Sequence, residues 1–366
     1  MEKIIGKGSY GYIFFPCLEF EDKLDIDVKK YVTKLQICYD AENEMNNIKM
    51  INSIDKNNEF HLGEHYIVKL NEELYKNIIY NYNLEIFIDY NFNDLTPILI
   101  KNGGYDLNYY SKVFKKWSYI DKEKIYLFIK EFYRLLEGIK LFNDNNILHH
   151  DITPKNILYD IENNRLNFID FSLTNKKENI ISLSKKSDYE YSIFHSSYPI
   201  ELYFINMNKF NILINKSDND IHDIFYKIYC YFIKNEKIHN DKSINKLINS
   251  LSELFNYYYN LDNKVNKKEI MNNIIQNYKL SLLNLKKMDY DDFINNTLNT
   301  FDTYSYGLTF IYILNYIEHI IQPDLFLKLI DLGIKMSFID LRERISIEES
   351  LLIFKNILEE YKILIN

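Results

Sequence analysis

Ile147-Leu148-His149-His150-Asp151-Ile152-Thr153-Pro154-Lys155-Asn156-Ile157-Leu158 is the stretch on which the reading of this chain turns. Apolar pairs at its two ends enclose a polar run that carries two histidines, a carboxylate, a proline and an amide. Fourteen residues after Asn156 stands a second carboxylate, Asp170, within Phe168-Ile169-Asp170-Phe171-Ser172. Residues 159–167 between them read as a short hairpin. Either segment alone is a loop with an incidental aspartate or a buried phenylalanine; two of them at this distance make coincidence a poor account.

On the N-terminal side, Ile125, Phe128, Ile129, Phe132, Leu135, Leu136, Ile139 and Phe142 recur at helical spacing, with Asp121 as the expected N-cap. The first hundred residues differ. Apolar, β-branched or aromatic runs at 10–15, 30–37, 66–70 and 97–100 predict strands, and one helix is expected to interrupt them over 40–51. A small strand-rich part followed by a larger helical part is the expected architecture, an α+β chain. On the C-terminal side, residues 206–295 form a polar, Asn/Lys-rich block with two apolar stripes. Ile221, Ile224, Phe225, Ile228 and Phe232 make one; Ile244, Leu247, Ile248, Leu251, Leu254 and Phe255 make the other. Such regularity predicts packed helices rather than a disordered linker.

Composition bounds the function. The chain has 366 residues, 47% of them hydrophobic, enough for a sizeable core. A formal net charge of −8 gives no overall basic field, so no nucleic-acid partner is expected. Cys17, Cys38 and Cys230 form neither a CxxC pair nor an even-numbered framework, which fits a reducing compartment. The opening MEKIIGKG does not read as a secretory leader. The most apolar long run, 307–321, is broken by Asn315, Glu318 and His319, so a buried helix is expected and no membrane partner. His61 and His65 are four apart but flank Gly63 in what reads as strand or loop, not as a metal-binding helix face. A soluble, cytoplasmic protein is the expectation.

Gly6-Lys7-Gly8-Ser9-Tyr10-Gly11-Tyr12-Ile13 spells G-x-G-x-x-G-x-I. Glycines let backbone N–H groups approach phosphate without a Cβ in the way. The same spacing marks dinucleotide-binding folds, but here an apolar strand follows the last glycine where those folds have a helix. Twenty-three residues after Gly11, Lys34 closes the apolar run Tyr31-Val32-Thr33. Taken alone, it reads as a strand-edge surface lysine.

Together these segments resemble the eukaryotic-type protein kinase family. His149, Asp151 and Asn156 match its H-R-D-L-x-x-x-N loop, and Asp170-Phe171 its Asp-Phe-Gly triplet. Tyr198-Pro199-Ile200-Glu201 is similar to its Ala-Pro-Glu. Asp302-Thr303-Tyr304-Ser305-Tyr306-Gly307 resembles the start of its central helix, and Asp340–Arg344 its late D-P-x-x-R. The resemblance runs from Gly6 to about Leu351 and implies a two-lobed kinase fold. A small β-rich N-lobe would span 1–102 and a helical C-lobe 103–366, with 206–295 as a helical insertion. It implies ATP and Mg²⁺ as cofactors and a protein substrate. Asp151 would be the catalytic base, and Asn156 and Asp170 the metal ligands. Gly6, Lys7, Gly8, Ser9, Tyr10, Gly11 and Ile13 would cradle the nucleotide, and Asp106 would contact the ribose. Lys34 would hold the phosphates, paired with Glu44, for which Glu42 is the competitor. Asp302 would bind the catalytic-loop backbone, and Glu201 and Arg344 would form a buried ion pair. The style of the motifs and the insertion resemble kinases of large DNA viruses, which would place the chain in host cytoplasm or virion.

Departures from the family pattern fall inside the deciding stretch. His150 stands where an arginine usually pairs with a phosphorylated residue, which puts that dependence in doubt. Thr153 replaces a phosphate-facing lysine, whose charge Lys155 could supply from another angle. Ser172 replaces the glycine after Asp-Phe. Pro154 and the glycine loop favour Ser/Thr over Tyr substrates. Two alternatives stay open, a pseudokinase acting as a nucleotide-binding scaffold and a small-molecule kinase. The block 206–295 is either extra packing or a docking surface for a partner.

Overall fold

The computed structural model describes residues 3–8, 11–70, 72–82, 84–87, 89–186, 197–234, 248, 251–252 and 266–364. The protein is α+β, strand-rich in its N-terminal region and mostly helical beyond. It divides into two compact bodies, Met1–Tyr105 with Leu158–Thr174, and Asp106–Ile157 with Asn175–Asn366. The first body thus takes up two separate stretches of chain.

In the first body five strands form one antiparallel sheet: β1 (Lys3–Lys7), β2 (Gly11–Phe15), β3 (Tyr31–Ile37), β4 (Tyr66–Ile67) and β5 (Leu95–Lys101), in the order β1-β2-β3-β5-β4. β3 lies in the middle, and Val32, Thr33, Lys34, Leu35 and Gln36 are all buried. A lysine and a glutamine in such a strand must find partners. Gly11 sits opposite Gln36, where an added Cβ would come 2.2 Å from the Leu35 carbonyl oxygen, so only glycine fits. The strand expected over 66–70 shrinks to two residues because the Lys69 N–H is taken by the Asp22 carboxylate at 2.6 Å.

Two helices complete this body, α1 (Cys38–Ile54) and α2 (Glu72–Tyr82). Only the first was expected. α1 buries Ala41, Glu44, Ile48 and Ile51, a stripe at helical spacing. Tyr12, Phe14, Leu35 and Leu95 from the sheet pack with Ile78 and Phe87 in the core. The strand Arg165–Phe168 joins by its end, where the Phe168 N–H donates to the Phe60 carbonyl at 2.9 Å.

The second body holds α3 (Leu107–Phe114), α4 (Lys122–Asp144), α5 (Lys177–Ser184), α6 (Met207–Asn215), α7 (Asp218–Lys234), α8 (Lys267–Leu285), α9 (Tyr290–Ile317), α10 (Pro323–Met336) and α11 (Ile347–Glu360). α4 buries the expected stripe from Ile125 to Phe142. Asp121 precedes it, but its carboxylate accepts the Ser118 N–H at 3.1 Å and caps the preceding turn instead. Ile221, Phe225 and Ile228 of α7, together with Ile248 and Leu251, belong to the core of this body. Ile244, Leu247, Leu254 and Phe255 of the second stripe lie outside the described residues. Among the described residues no helix is long and apolar enough to cross a membrane.

α9 is the centre of the second body, buried without a break from Thr300 to Ile311. It starts at Tyr290, inside the expected insertion, because Asp289 caps it by accepting the Asp292 N–H at 2.8 Å. A Cβ on Gly307 would lie 2.8 Å from Met336 Cβ and 2.9 Å from the Gly333 carbonyl oxygen. Gly307→Ala is expected to destabilise the protein by about 1–3 kcal/mol, measured by urea denaturation, because neither helix can yield without moving the other. An unchanged midpoint would show that α9 and α10 have slack there.

Candidate active site

The first body holds a charge cluster in which Lys34 and Glu44 are buried and Asp170 is half-buried. Lys34 lies mid-strand in β3, opposite Ile13 and Ile98, and not at the end where sequence put it. Its Nζ reaches Glu44 Oε2 at 2.6 Å and Asp170 Oδ1 at 3.3 Å. Burial alone would push the ammonium pKa down; the charges of Asp170 and Glu44 outweigh it and hold the pKa above the ordinary lysine value. Gln36 Nε2 donates to the same Glu44 oxygen at 2.9 Å. Between the two candidates on α1, Glu44 shares the buried face with Ala41 and Ile48, whereas Glu42 points to solvent.

Asp170 adopts a left-handed backbone, φ 60° and ψ 72°, ahead of the turn Phe171–Leu173. Ser172 Oγ donates to Asp170 Oδ1 at 2.5 Å. Asn47 Nδ2, one turn beyond Glu44, donates to the Phe171 carbonyl at 2.8 Å. So α1 holds both ends of the cluster, the lysine through Glu44 and the aspartate turn through Asn47. Ser172 takes no left-handed backbone, so the lost glycine strains nothing here.

The two histidines beside this cluster have structural duties. His61 Nδ1 pairs with Asp55 Oδ2 at 2.7 Å and Nε2 with Asn52 Oδ1 at 2.5 Å. His65 Nδ1 lies 4.0 Å from Glu44 Oε1. Burial, and then the charges of Lys34 and His61, push its pKa down to about 3, so it stays neutral beside the ion pair. No group of three metal-binding His, Cys, Asp or Glu occurs among the described residues.

Of the glycine loop, Gly6, Lys7, Gly8, Gly11 and Ile13 are described; Ser9 and Tyr10 lie outside the described residues. The Gly8 N–H donates to the Gly11 carbonyl at 2.9 Å, and Lys7 pairs in solvent with Glu85 at 2.7 Å.

The second body by itself holds the loop His149–Asn156. Asn156 Nδ2 donates to Asp151 Oδ2 at 2.6 Å and to the Asp151 carbonyl at 3.0 Å, which commits its donor end to Asp151. Asp302 at the heart of α9 accepts the His149 N–H at 2.7 Å and the His150 N–H at 3.0 Å. Burial raises its carboxyl pKa, against those donors and the nearby His149. Lys155 is exposed. Asp106 caps α3 by accepting the Tyr109 N–H at 2.7 Å, a structural duty that sequence did not assign it. Arg344 meets Glu201 at 2.6 Å with both side chains fully buried.

Sequence reasoning passed over Gln36, Asn47 and Tyr198. Asn47 was in reach, because it lies three residues after Glu44 and hence on the same helix side. No protein-family model matches this chain, and no curated protein matches it either.

Proposed function

We propose that the chain is an ATP- and Mg²⁺-dependent protein kinase with the two-lobed kinase fold, acting on Ser/Thr hydroxyls. The observation that carries the reading is the triad of buried Lys34 and Glu44 with half-buried Asp170, at 2.6 and 3.3 Å. Family resemblance names these three residues from separate motifs, one of them 136 positions away from Lys34.

Lys34 positions the nucleotide's α- and β-phosphates, and Glu44 fixes the lysine head. Asp151 accepts the substrate hydroxyl proton as the oxygen attacks the γ-phosphorus. A new O–P bond forms, the bond from the γ-phosphorus to the bridging oxygen breaks, and ADP leaves with the electron pair. Asp170 and Asn156 offer oxygen donors of the kind magnesium selects, and the ion supplies charge neutralisation on the phosphates. Lys155, exposed on the loop, adds positive charge toward the transferred group.

The test is transfer of radiolabelled phosphate from ATP·Mg²⁺ to a generic basic protein and to the chain itself, with phosphoamino-acid analysis. Phosphoserine and phosphothreonine are the expected products, and Lys34→Met should abolish them. ATP binding without transfer would favour the scaffold, and transfer confined to a small alcohol or amine would sink the proposal.

A further inference from the structure

His150, the residue before Asp151, has φ +74° in the buried interior of the second body, a backbone uncommon outside glycine. Such a conformation persists only where the surroundings over-determine it. Asp302 takes the His150 N–H. The other side of the peptide is held by Tyr198, whose Oη donates to the His150 carbonyl at 2.6 Å. Tyr198 is 3% exposed. Its ring lies nearly parallel to the imidazole, 20° apart with centroids at 6.1 Å, and Phe301 packs edge-on against both, at 4.7 Å from His150 and 5.0 Å from Tyr198. Three residues on, Glu201 anchors this stretch to Arg344.

We infer that Tyr198 is a positioning residue, whose hydroxyl holds the loop in the strained form that presents Asp151. The inference rests on the kinase reading for its effect on rate, not for its geometry. A hydroxyl, a carbonyl and three rings make the clamp, so it needs no phosphate to close. Tyr198→Phe keeps the ring packing and removes the bond, leaving a buried carbonyl unpartnered by this residue.

The experiment compares wild type with Tyr198→Phe by amide hydrogen exchange and by kinetics. Exchange across residues 149–152 should quicken about tenfold, the value of one buried hydrogen bond, while the amides of α9 keep their protection. kcat should fall about tenfold with KM for ATP unchanged. Phosphatase treatment of wild type should leave loop exchange and kcat as they were. Wild-type exchange in the variant overturns the clamp whatever the activity, and so does a loop loosened by phosphatase. Uniformly faster exchange over α9 and the loop would reduce Tyr198 to a packing residue and likewise overturn it. A wild type that transfers no phosphate, with a loop still loosened by Tyr198→Phe, defeats the kinase reading and leaves the clamp standing.

Discussion

Asp151→Asn should lower kcat for phosphoryl transfer by about 10²–10⁴, the range that a positioned general base contributes. The substitution keeps the size of the side chain and removes its capacity to take a proton. Asn156 now donates to Asp151 Oδ2 at 2.6 Å, and an asparagine can still offer an amide oxygen to that bond. The loop geometry should therefore survive, and KM for ATP should change little. Asp170→Asn acts on another step. It removes one carboxylate from beside Lys34, so loss of metal-nucleotide affinity is expected along with loss of rate. Steady-state kinetics against ATP at saturating magnesium separate the two. An Asp151→Asn protein with wild-type kcat would remove this residue from the chemistry.

Glu201→Gln should destabilise the protein by about 3–5 kcal/mol, because it strands the Arg344 charge in a dry interior. Arg344 does have other contacts: Nε donates to the Phe338 carbonyl at 3.0 Å, Nη1 to Thr300 Oγ1 at 3.1 Å, and the guanidinium lies 4.6 Å from the Tyr304 ring centre. These supply hydrogen bonds but no negative charge, which among the described residues Glu201 brings to it at 2.6 Å. Replacing both partners, as in Glu201→Gln with Arg344→Met, should recover much of the loss, since no buried charge is then left over. Urea denaturation of the two single variants and the double measures the coupling. A Glu201→Gln midpoint equal to wild type would mean that the pair is idle.

Much of the candidate site was legible because local patterns carry it. The glycines and the two aspartate segments stand out by spacing, and Lys34 only in their company. Choosing Glu44 over Glu42 needed only the phase of one helix, in which Ala41, Glu44, Ile48 and Ile51 line up. Less accessible was whatever depends on a partner remote in sequence. Asp22 takes the Lys69 N–H and cuts β4 short, a bond across forty-seven positions. A near neighbour can mislead as well: Ser118, three residues before Asp121, claims the carboxylate that local rules assign to α4. α2 escaped although Tyr75, Ile78 and Tyr82 fall at helical spacing within Glu72–Tyr82. Tyr198 was read as part of a motif, and nothing in that motif says where its hydroxyl goes.

The first body is assembled from two lengths of chain, with residues 106–157 made between them. A ribosome delivers the sheet and α1 first, then a long stretch that belongs elsewhere, and only afterwards the hairpin with Asp170. Until residue 174 has emerged, Asn47 has no Phe171 carbonyl to hold and Lys34 has one carboxylate instead of two. The nascent chain thus waits through some seventy residues of synthesis with its lysine half-satisfied, and the last stretch to arrive carries Asp170.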